Sequence, residues 1–197
     1  NLIESNSRIE AKKIFKDSFP KIITVARLDK RKGHDNILML IKNLKNKFKK
    51  IKYVSIGSGD EEKNLLRLSK ELSIENEVSF LKDINESLKL ALIAEANLFL
   101  MPTRKEKRSV EGFGISFIEA ASYGIPSIGG KEGGASDAIS HKNTGLLCDG
   151  DSLDSIYDSV IDILESNKLS LYGSNAKKFS ENFYWNKVIK KYLELIN

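Results

Sequence analysis

The chain has 197 residues, 41% of them hydrophobic, which is enough for one globular domain with a buried core. This composition excludes a disordered polymer, and no apolar run reaches the length of a membrane-spanning helix. Cys148 is the only cysteine, which excludes an internal disulfide and favours a reducing, cytoplasmic location. The net charge of +5 is compatible with an anionic ligand, an anionic membrane surface or a nucleic acid, and does not choose among them.

The first half of the chain alternates short apolar runs with amphipathic stretches. The apolar runs predict buried strands, because parallel strands that are covered on both faces are continuously apolar. The amphipathic stretches predict helices that cover the sheet. In chain order these elements are a helix over 8–15, a strand over 22–28, a helix over 36–49, a strand over 51–56, a helix over 61–72, a strand over 78–81 and a helix that ends at Ala94.

The second half continues this alternation around a central glycine-rich segment. The predicted elements are a strand over 98–101, a loop to Val110, a helix over 115–121 that ends at Gly124, a strand over 126–128, a glycine-rich loop over 130–134, a strand over 145–148, and helices over 153–165, 169–180 and 185–196. The alternation predicts an α/β fold, a doubly wound parallel sheet with helices on both faces. Ligands of such sheets bind at the carboxyl ends of the strands.

The central segment carries two glycines and two glutamates around the start of a helix. Gly112 and Gly114 precede the helix that begins at Ile115, so backbone N–H groups and the positive helix end favour a phosphate there. Glu111 and Glu119 are eight positions apart and can both face a ligand whose phosphates lie between them. A carboxylate accepts hydrogen bonds from the hydroxyls of a sugar. Spacing alone leaves open an alternative, a glutamate at the helix dipole and an exposed helical glutamate.

Two loops that follow predicted strands also suit a phosphate-bearing ligand. The segment 27–33, Arg-Leu-Asp-Lys-Arg-Lys-Gly, offers guanidinium and ammonium groups, although such a charge run alone is more often a solvated surface loop. The turn that begins at Gly57 resembles a dinucleotide-binding motif, but Glu62 stands at its third glycine position and the turn follows the second strand. We therefore reject nicotinamide binding and expect the turn to border a nucleotide.

The segment EGFGISFIEAASYGIPSIGG, followed by GGASDAISHKNTGLL, resembles the donor-site signature of the retaining family 4 glycosyltransferases of GT-B fold. The long loop before Glu111, and Asp137 where many members carry glutamate, resemble a subgroup near the bacterial phosphatidylinositol-mannoside mannosyltransferases. The resemblance implies the Rossmann-like C-terminal half of a GT-B fold. It divides the chain into a connector with a first helix, 1–19, and a nucleotide-sugar-binding domain, 20–197, with the N-terminal acceptor domain outside the chain.

The resemblance also implies residue roles. Arg27 and Lys32 would bind the donor diphosphate, Glu111 the donor sugar and Glu119 the ribose diol, and the first three form the predicted catalytic set. Further donor contacts are implied at Gly33, Gly57, Asp83, Ile84, Gly112, Phe113, Gly114 and Ile115. Ala26 and Lys82 stand where the family commonly has glycine. Phe183-Tyr184-Trp185 resembles the final aromatic patch of the family, with Trp185 predicted to pack against the domain.

The implied function is metal-independent transfer of a hexose from a UDP- or GDP-sugar to a lipid or glycan acceptor, a step of glycan biosynthesis. The two histidines of the sequence, His34 and His141, lie far apart and form no metal-ligand cluster, so we expect neither a metal nor another cofactor. A sugar-nucleotide epimerase and a non-catalytic sugar-nucleotide-binding module remain as alternatives. The acceptor, the sugar and the nucleobase stay open.

The expected partners are a nucleotide-diphosphate sugar and the N-terminal acceptor domain. A nucleic acid is not expected, because no stretch interleaves aromatic and basic residues on one surface. The basic side of the predicted helix 36–49, with Lys42, Lys45 and Lys47, suits peripheral contact with the inner face of the membrane. A helix that only covers a parallel sheet gives the same pattern, and we prefer that interpretation.

Overall fold

The fold is built on a six-stranded sheet in the order β3-β2-β1-β4-β5-β6, with every neighbouring pair parallel. The computed structural model describes residues 2–106, 109–166 and 168–196. The strands are β1 Lys21–Val25, β2 Lys52–Ile56, β3 Val78–Leu81, β4 Leu98–Met101, β5 Ser127–Gly130 and β6 Gly145–Cys148. The predicted doubly wound parallel sheet is confirmed. The strand order reverses between β1 and β4, and ligands of doubly wound folds bind in the crevice at such a point.

Nine helices of the described residues connect or flank these strands. They are α1 Ser5–Phe15, α2 His34–Leu44, α3 Glu62–Glu71, α4 Glu86–Glu95, α5 Ile115–Ser122, α6 Ala135–Ala138, α7 Leu153–Glu165, α8 Lys168–Ser180 and α9 Trp185–Ile196. Residues of α2, α3 and α7 form the core on one face of the sheet, and those of α1, α4, α5 and α6 form the core on the other. The apolar strands are buried between these layers, and all four residues of β4 are inaccessible.

Several boundaries differ from the sequence predictions. The helix predicted over 36–49 begins at His34 and ends at Leu44, and Phe48 beyond it packs back against the core. Its start follows from Gly33, whose left-handed φ of 73° turns the chain into the helix. The strand predicted over 22–28 ends at Val25, although the Ala26 and Leu28 N–H groups still donate to the segment at and after β2.

The glycine-rich segment 130–134 was predicted as a loop, but the structure divides it. Gly130 is the last residue of β5, and the short helix α6 follows Gly134. The pattern Ala-Ser-Asp-Ala of α6 is too short to show a helical period, so the sequence predicted no helix there.

The N-terminal helix α1 is longer than the predicted 8–15 and packs on α4. Ala11 and Phe15 are buried in the core that α4 and α5 share. The helix therefore contributes to this unit, and the division at residue 19 stays a prediction. None of the helices in the described parts of the chain has the length and apolarity needed to cross a bilayer.

Candidate functional site

The loops that follow β1, β4 and β6 meet at the carboxyl edge of the sheet. A Cβ on Gly33 would lie 2.5 Å from the Pro102 carbonyl oxygen, and one on Gly150 would lie 2.3 Å from the Thr103 carbonyl oxygen. The Arg104 N–H donates to the Arg31 carbonyl over 2.9 Å. Because glycine has no side chain, the backbones of these loops can approach one another closely. Residues that are far apart in the sequence therefore meet at the carboxyl edge of the sheet.

The loop after β1, residues 27–33 and hereafter the cationic loop, places two cations on one buried carboxylate. Glu111 Oε2 lies 2.5 Å from Lys32 Nζ and 2.9 Å from Arg31 Nη1. Lys32 and Glu111 are only 9% and 8% exposed. Lys32 is therefore paired rather than solvated, and the pairing includes Arg31, which the sequence analysis did not single out. Its position one residue before Lys32 was the only available signal.

The backbone of Glu111 is held by the glycine-rich segment after β5. The Gly134 N–H donates to the Glu111 carbonyl over 2.9 Å, and Glu111 forms an isolated parallel bridge with Gly133. A Cβ on Gly134 would lie only 1.6 Å from the Gly112 carbonyl oxygen. The glycines after β5 therefore fix the path of residues 111–112 and, through it, the carboxylate of Glu111.

The start of α5 is open to solvent at this same edge. Gly114 precedes the helix with a left-handed φ of 76°, and no side chain caps the helix start. A Cβ on Gly112 would meet nothing within 4 Å, and Ile115 is 71% exposed. The first N–H groups of a helix have no intrahelical acceptor and carry a partial positive charge. This arrangement suits an anionic ligand, as the glycines and the helix start predicted.

The loop before α5 is supported by an aromatic cluster, Phe113, Phe179 and Phe183. The Phe113 and Phe183 ring centroids are 5.4 Å apart, and those of Phe179 and Phe183 are 5.3 Å apart. The prediction that Trp185 packs against the domain is wrong, since Trp185 is 78% exposed. Phe183 takes that place, because the 3₁₀ turn over 181–183 directs it onto Phe113 while α9 leads Trp185 outward.

Arg27 lies at the same edge but outside the Glu111 cluster. Its side chain is exposed, and no ion pair to it is formed within the described residues. Its backbone is fixed, since the Arg27 carbonyl accepts from the Asp29 N–H over 3.0 Å and faces His34 Nε2 at 3.1 Å. The guanidinium of Arg27 is therefore available to a ligand, whereas Lys32 is already engaged.

Glu119 lies in a second ionic cluster with α4. Its Oε1 is 2.9 Å from Lys89 Nζ, which is also 2.9 Å from Glu86 Oε1. Burial lowers the pKa of Lys89, but the hydrogen bonds that Lys89 donates to Glu119 and Glu86 outweigh it and leave this pKa above its usual value. Sequence reasoning missed Lys89, because thirty positions separate it from Glu119 and no motif links the two helices. Glu111 and Glu119 thus pair with different cations, Glu111 with residues of the cationic loop and Glu119 with Lys89.

The remaining predicted donor contacts lie after β2 and β3. Gly57 has a φ of 145°, and a Cβ there would lie 2.0 Å from the Ala26 carbonyl oxygen, so this glycine is needed for packing. Asp83 is exposed with a left-handed φ of 53°. Ile84 is partly buried against the core, which leaves its backbone rather than its side chain for a ligand. Asn85 caps α4 by accepting from the Leu88 N–H over 2.8 Å.

Two further residues near the sheet are buried. Burial raises the pKa of the Cys148 thiol to about 12, which suits a core residue rather than a reactive one. His34 is buried at the start of α2, as expected of a packing residue. Within the segments that the structure describes, no three His, Cys, Asp or Glu side chains are arranged to hold a metal ion.

Comparison with known proteins places this site in a family. The family model of glycosyl transferases group 1 matches residues 5–182. A GDP-mannose-dependent alpha-(1-6)-phosphatidylinositol monomannoside mannosyltransferase of Mycobacterium tuberculosis is 33% identical over 147 residues, which cover 74% of this chain and 38% of that protein. A GDP-mannose-dependent monoacylated alpha-(1-6)-phosphatidylinositol monomannoside mannosyltransferase of Corynebacterium glutamicum is 32% identical over 164 residues, 82% of this chain and 42% of that protein.

Solved structures share the fold. Anabaena Alr3699/HepE in complex with UDP and glucose superimposes with a TM-score of 0.80 at 20% identity, over 97% of this chain and 53% of that one. The C-terminal domain of the glycosyl transferase group 1 family protein LpcC from Francisella tularensis superimposes with a TM-score of 0.74 at 19% identity, over 93% of this chain and 95% of that one. The fold is thus the Rossmann-like half of a GT-B glycosyltransferase.

The sheet has cations, an open helix start and a glutamate at its carboxyl edge, an arrangement that suits an anionic ligand, and the chain belongs to the glycosyl transferases group 1 family. Its similarity to the phosphatidylinositol-mannoside mannosyltransferases agrees with the subgroup that the sequence resembled. The chain spans 38% and 42% of the length of the two mannosyltransferases named above.

Proposed function

We propose that this chain is the donor-binding part of a retaining glycosyltransferase that takes a hexose from a nucleotide-diphosphate sugar. The observation that carries the proposal is the pairing of Glu111 with Lys32 and Arg31 beside the open start of α5. Positive charge and uncapped helix N–H groups suit a diphosphate, and the carboxylate next to them suits the hydroxyls of a sugar, which supports the proposal. Membership of the family supports the same conclusion.

The proposed chemistry depends on stabilising a leaving group. When the bond from the anomeric carbon to the diphosphate oxygen breaks, negative charge grows on the diphosphate. Arg27, Lys32 and the start of α5 would hold that charge, with Arg31 as an additional cation. Glu111 would bind the donor sugar and Glu119 the ribose. Because the protein supplies these cations itself, we propose that binding and transfer need no divalent metal.

We propose GDP-mannose as the first donor to test. Its support is that the two mannosyltransferases described above are named as GDP-mannose-dependent. Uridine nucleotides should be tested alongside GDP-mannose, because the Anabaena protein of similar fold is described in complex with UDP and glucose. The backbone at Gly57, Asp83 and Ile84 is the proposed contact region for the nucleobase.

We further propose that an N-terminal acceptor domain completes the enzyme and that the enzyme works in the cytoplasm at the inner membrane surface. The support is that both mannosyltransferases are named for a phosphatidylinositol acceptor. The basic residues after α2 offer limited support, because Lys45 is paired with Glu77 and Lys47 with Glu165. Sedimentation with phosphatidylinositol vesicles, compared with neutral vesicles, measures the membrane contact.

Calorimetric titration of the chain with GDP, UDP and ADP tests the proposed function. We expect at least one of GDP and UDP to bind, and we expect its affinity in EDTA to equal its affinity in magnesium. A strict magnesium requirement would contradict metal independence, and failure of all three nucleotides to bind would remove the donor-binding function.

A further inference from the structure

His34 lies beneath the cationic loop and is only 1% exposed. Its Nε2 is 3.1 Å from the Arg27 carbonyl oxygen, which can only accept, so Nε2 carries the proton and donates. Nδ1 then has a free lone pair that can accept from the Ser55 hydroxyl at 3.4 Å, and the Tyr53 hydroxyl oxygen, whose proton goes to Thr24, lies 3.1 Å from it. Both ring nitrogens are thus engaged, which orients the imidazole.

The hydroxyl groups below His34 continue into the centre of the sheet. The Tyr53 hydroxyl donates to Thr24 Oγ1 over 3.0 Å, and Thr24 in turn donates to the Leu100 carbonyl. These three residues belong to β2, β1 and β4, the strands on either side of the point where the strand order reverses. His34 therefore packs against a hydrogen-bonded chain of groups that spans the central strands of the sheet.

The position of His34 in the chain couples both ends of the cationic loop. The side chain holds the carbonyl of Arg27, the first residue of the loop, while the backbone of His34 follows Gly33, its last residue. Lys32 is two positions before His34, and the Lys32 N–H donates to the Asp29 carbonyl over 3.1 Å. One imidazole thus holds together a compact loop that carries four basic residues.

We propose that His34 is a positioning residue for the donor diphosphate: it fixes the cationic loop so that Arg27 and Lys32 face one ligand. The inference rests on the donor-binding function proposed above and extends it to a residue that touches no phosphate. A histidine that only fills space in the core would be replaceable by a side chain of similar size without loss of diphosphate affinity.

The test compares His34→Leu, which fills the space without donating, with His34→Gln, whose amide can replace the Nε2 donor. Tyr53→Phe is the matched control, because it removes a contact to the same ring but keeps the bond to Arg27. Each variant of the 197-residue chain is titrated with GDP and with guanosine. Thermal unfolding establishes that each variant is folded, and Arg27→Ala reports the loss of a direct phosphate contact.

We expect His34→Leu to weaken GDP binding roughly 10-fold and to leave guanosine binding unchanged, while His34→Gln and Tyr53→Phe stay within about 3-fold of the wild type. Equal GDP affinity of His34→Leu and the wild type, with Arg27→Ala impaired, would overturn the inference and leave the proposed function intact. Absence of GDP binding by the wild-type chain would overturn both. If His34→Leu does not fold, His34→Asn replaces it, because its amide is too short to reach Arg27. Equal binding by the Asn and Gln variants would then refute the role.

Discussion

At the scale of single residues, the carboxylate of Glu111 pairs with two cations that the proposed diphosphate would also use. Its contacts with Lys32 and Arg31 are short, and it is almost fully buried. A diphosphate that enters the site must displace Glu111 or share the cations with a negative charge. The site therefore holds an anion of its own, which opposes binding of a free diphosphate.

Glu111→Gln is expected to tighten GDP binding by about 5-fold, because loss of one nearby negative charge is worth about 1 kcal/mol at the effective dielectric constant of a protein site. The same variant should weaken GDP-mannose binding relative to GDP, because it loses a charged acceptor for the sugar hydroxyls. Calorimetric titration with both ligands measures the two effects. Glu132→Gln, an exposed change of equal charge, is the control. Weaker GDP binding by Glu111→Gln would show that the carboxylate does not compete with the phosphates.

Glu119→Ala is expected to weaken GDP binding roughly 10- to 150-fold, with little effect on a 2′,3′-dideoxy analogue, because a charged hydrogen bond contributes about 1.5–3 kcal/mol. Glu86→Ala is the matched control, since Glu86 contacts the same Lys89. Titration with both nucleotides measures the difference. The same loss for both ligands would remove the ribose assignment.

The buried imidazole of His34 makes stability depend on pH. Burial is the main cause that lowers its pKa from 6.5 to about 4. The hydrogen bond to the Arg27 carbonyl and the charges of Asp29 and Asp35 act against it, and Lys32 adds to the lowering. Between these pH values the unfolded chain binds a proton that the folded chain excludes. Stability is therefore complete above pH 6.5 and falls towards pH 4. Urea unfolding should show about 2 kcal/mol less stability at pH 5 than at pH 7 from this group. His34→Gln should lose this pH-dependent part of the stability. If the free energy of unfolding of that variant changes with pH as much as that of the wild type, His34 is not its source.

At the scale of secondary-structure elements, two glycines near the site have different roles. Gly130 at the end of β5 permits close packing, since a Cβ there would lie 1.7 Å from the Thr103 carbonyl oxygen. Gly112 before α5 has open space around its Cβ position. The first glycine is therefore needed by the sheet, and the second is free for the approach of a ligand.

Gly130→Ala is expected to destabilise the protein by about 3 kcal/mol or more, because the added methyl group meets backbone that cannot move aside. Gly112→Ala should change stability by less than about 1 kcal/mol and yet weaken GDP binding, because its methyl group stands where the ligand would approach. Chemical unfolding and titration of both variants measure these outcomes. Unchanged GDP affinity in a folded Gly112→Ala protein would show that no ligand passes close to this backbone.

At the scale of the whole molecule, donor binding and sugar transfer are expected to separate. Closure of a second domain over the donor excludes water and positions the acceptor, and both effects act on the chemical step. The 197 residues should therefore bind the nucleotide and transfer no sugar to an added acceptor. Incubation with GDP-mannose and phosphatidylinositol-mannoside acceptors measures this. Addition of the proposed N-terminal domain is the control, and efficient transfer by these residues alone would place an acceptor site within them.

The sequence by itself determined the alternation of strands and helices, the parallel doubly wound sheet and the positions of its strands. Continuous apolar runs such as 98–101 suit only strands that are buried on both faces, and Gly114 and Gly124 mark the ends of α5. Its motif also led to the correct family. The end of α2 was predicted wrongly, because the apolar Phe48 continued a helical pattern although it packs back from a turn.

Only the tertiary structure decided which charges meet. Lys32 and Glu111 are separated by 79 positions and Lys89 and Glu119 by 30, and their contacts depend on how the loops and helices pack. The outward position of Trp185 depends likewise on the turn before α9. Local patterns record the period of an element and the residues at its ends, whereas the partner of a side chain is set by distances across the fold. For this reason the sequence identified Arg27, Lys32, Glu111 and Glu119 as candidates, and the structure added Arg31, Lys89 and the anchoring contacts of His34.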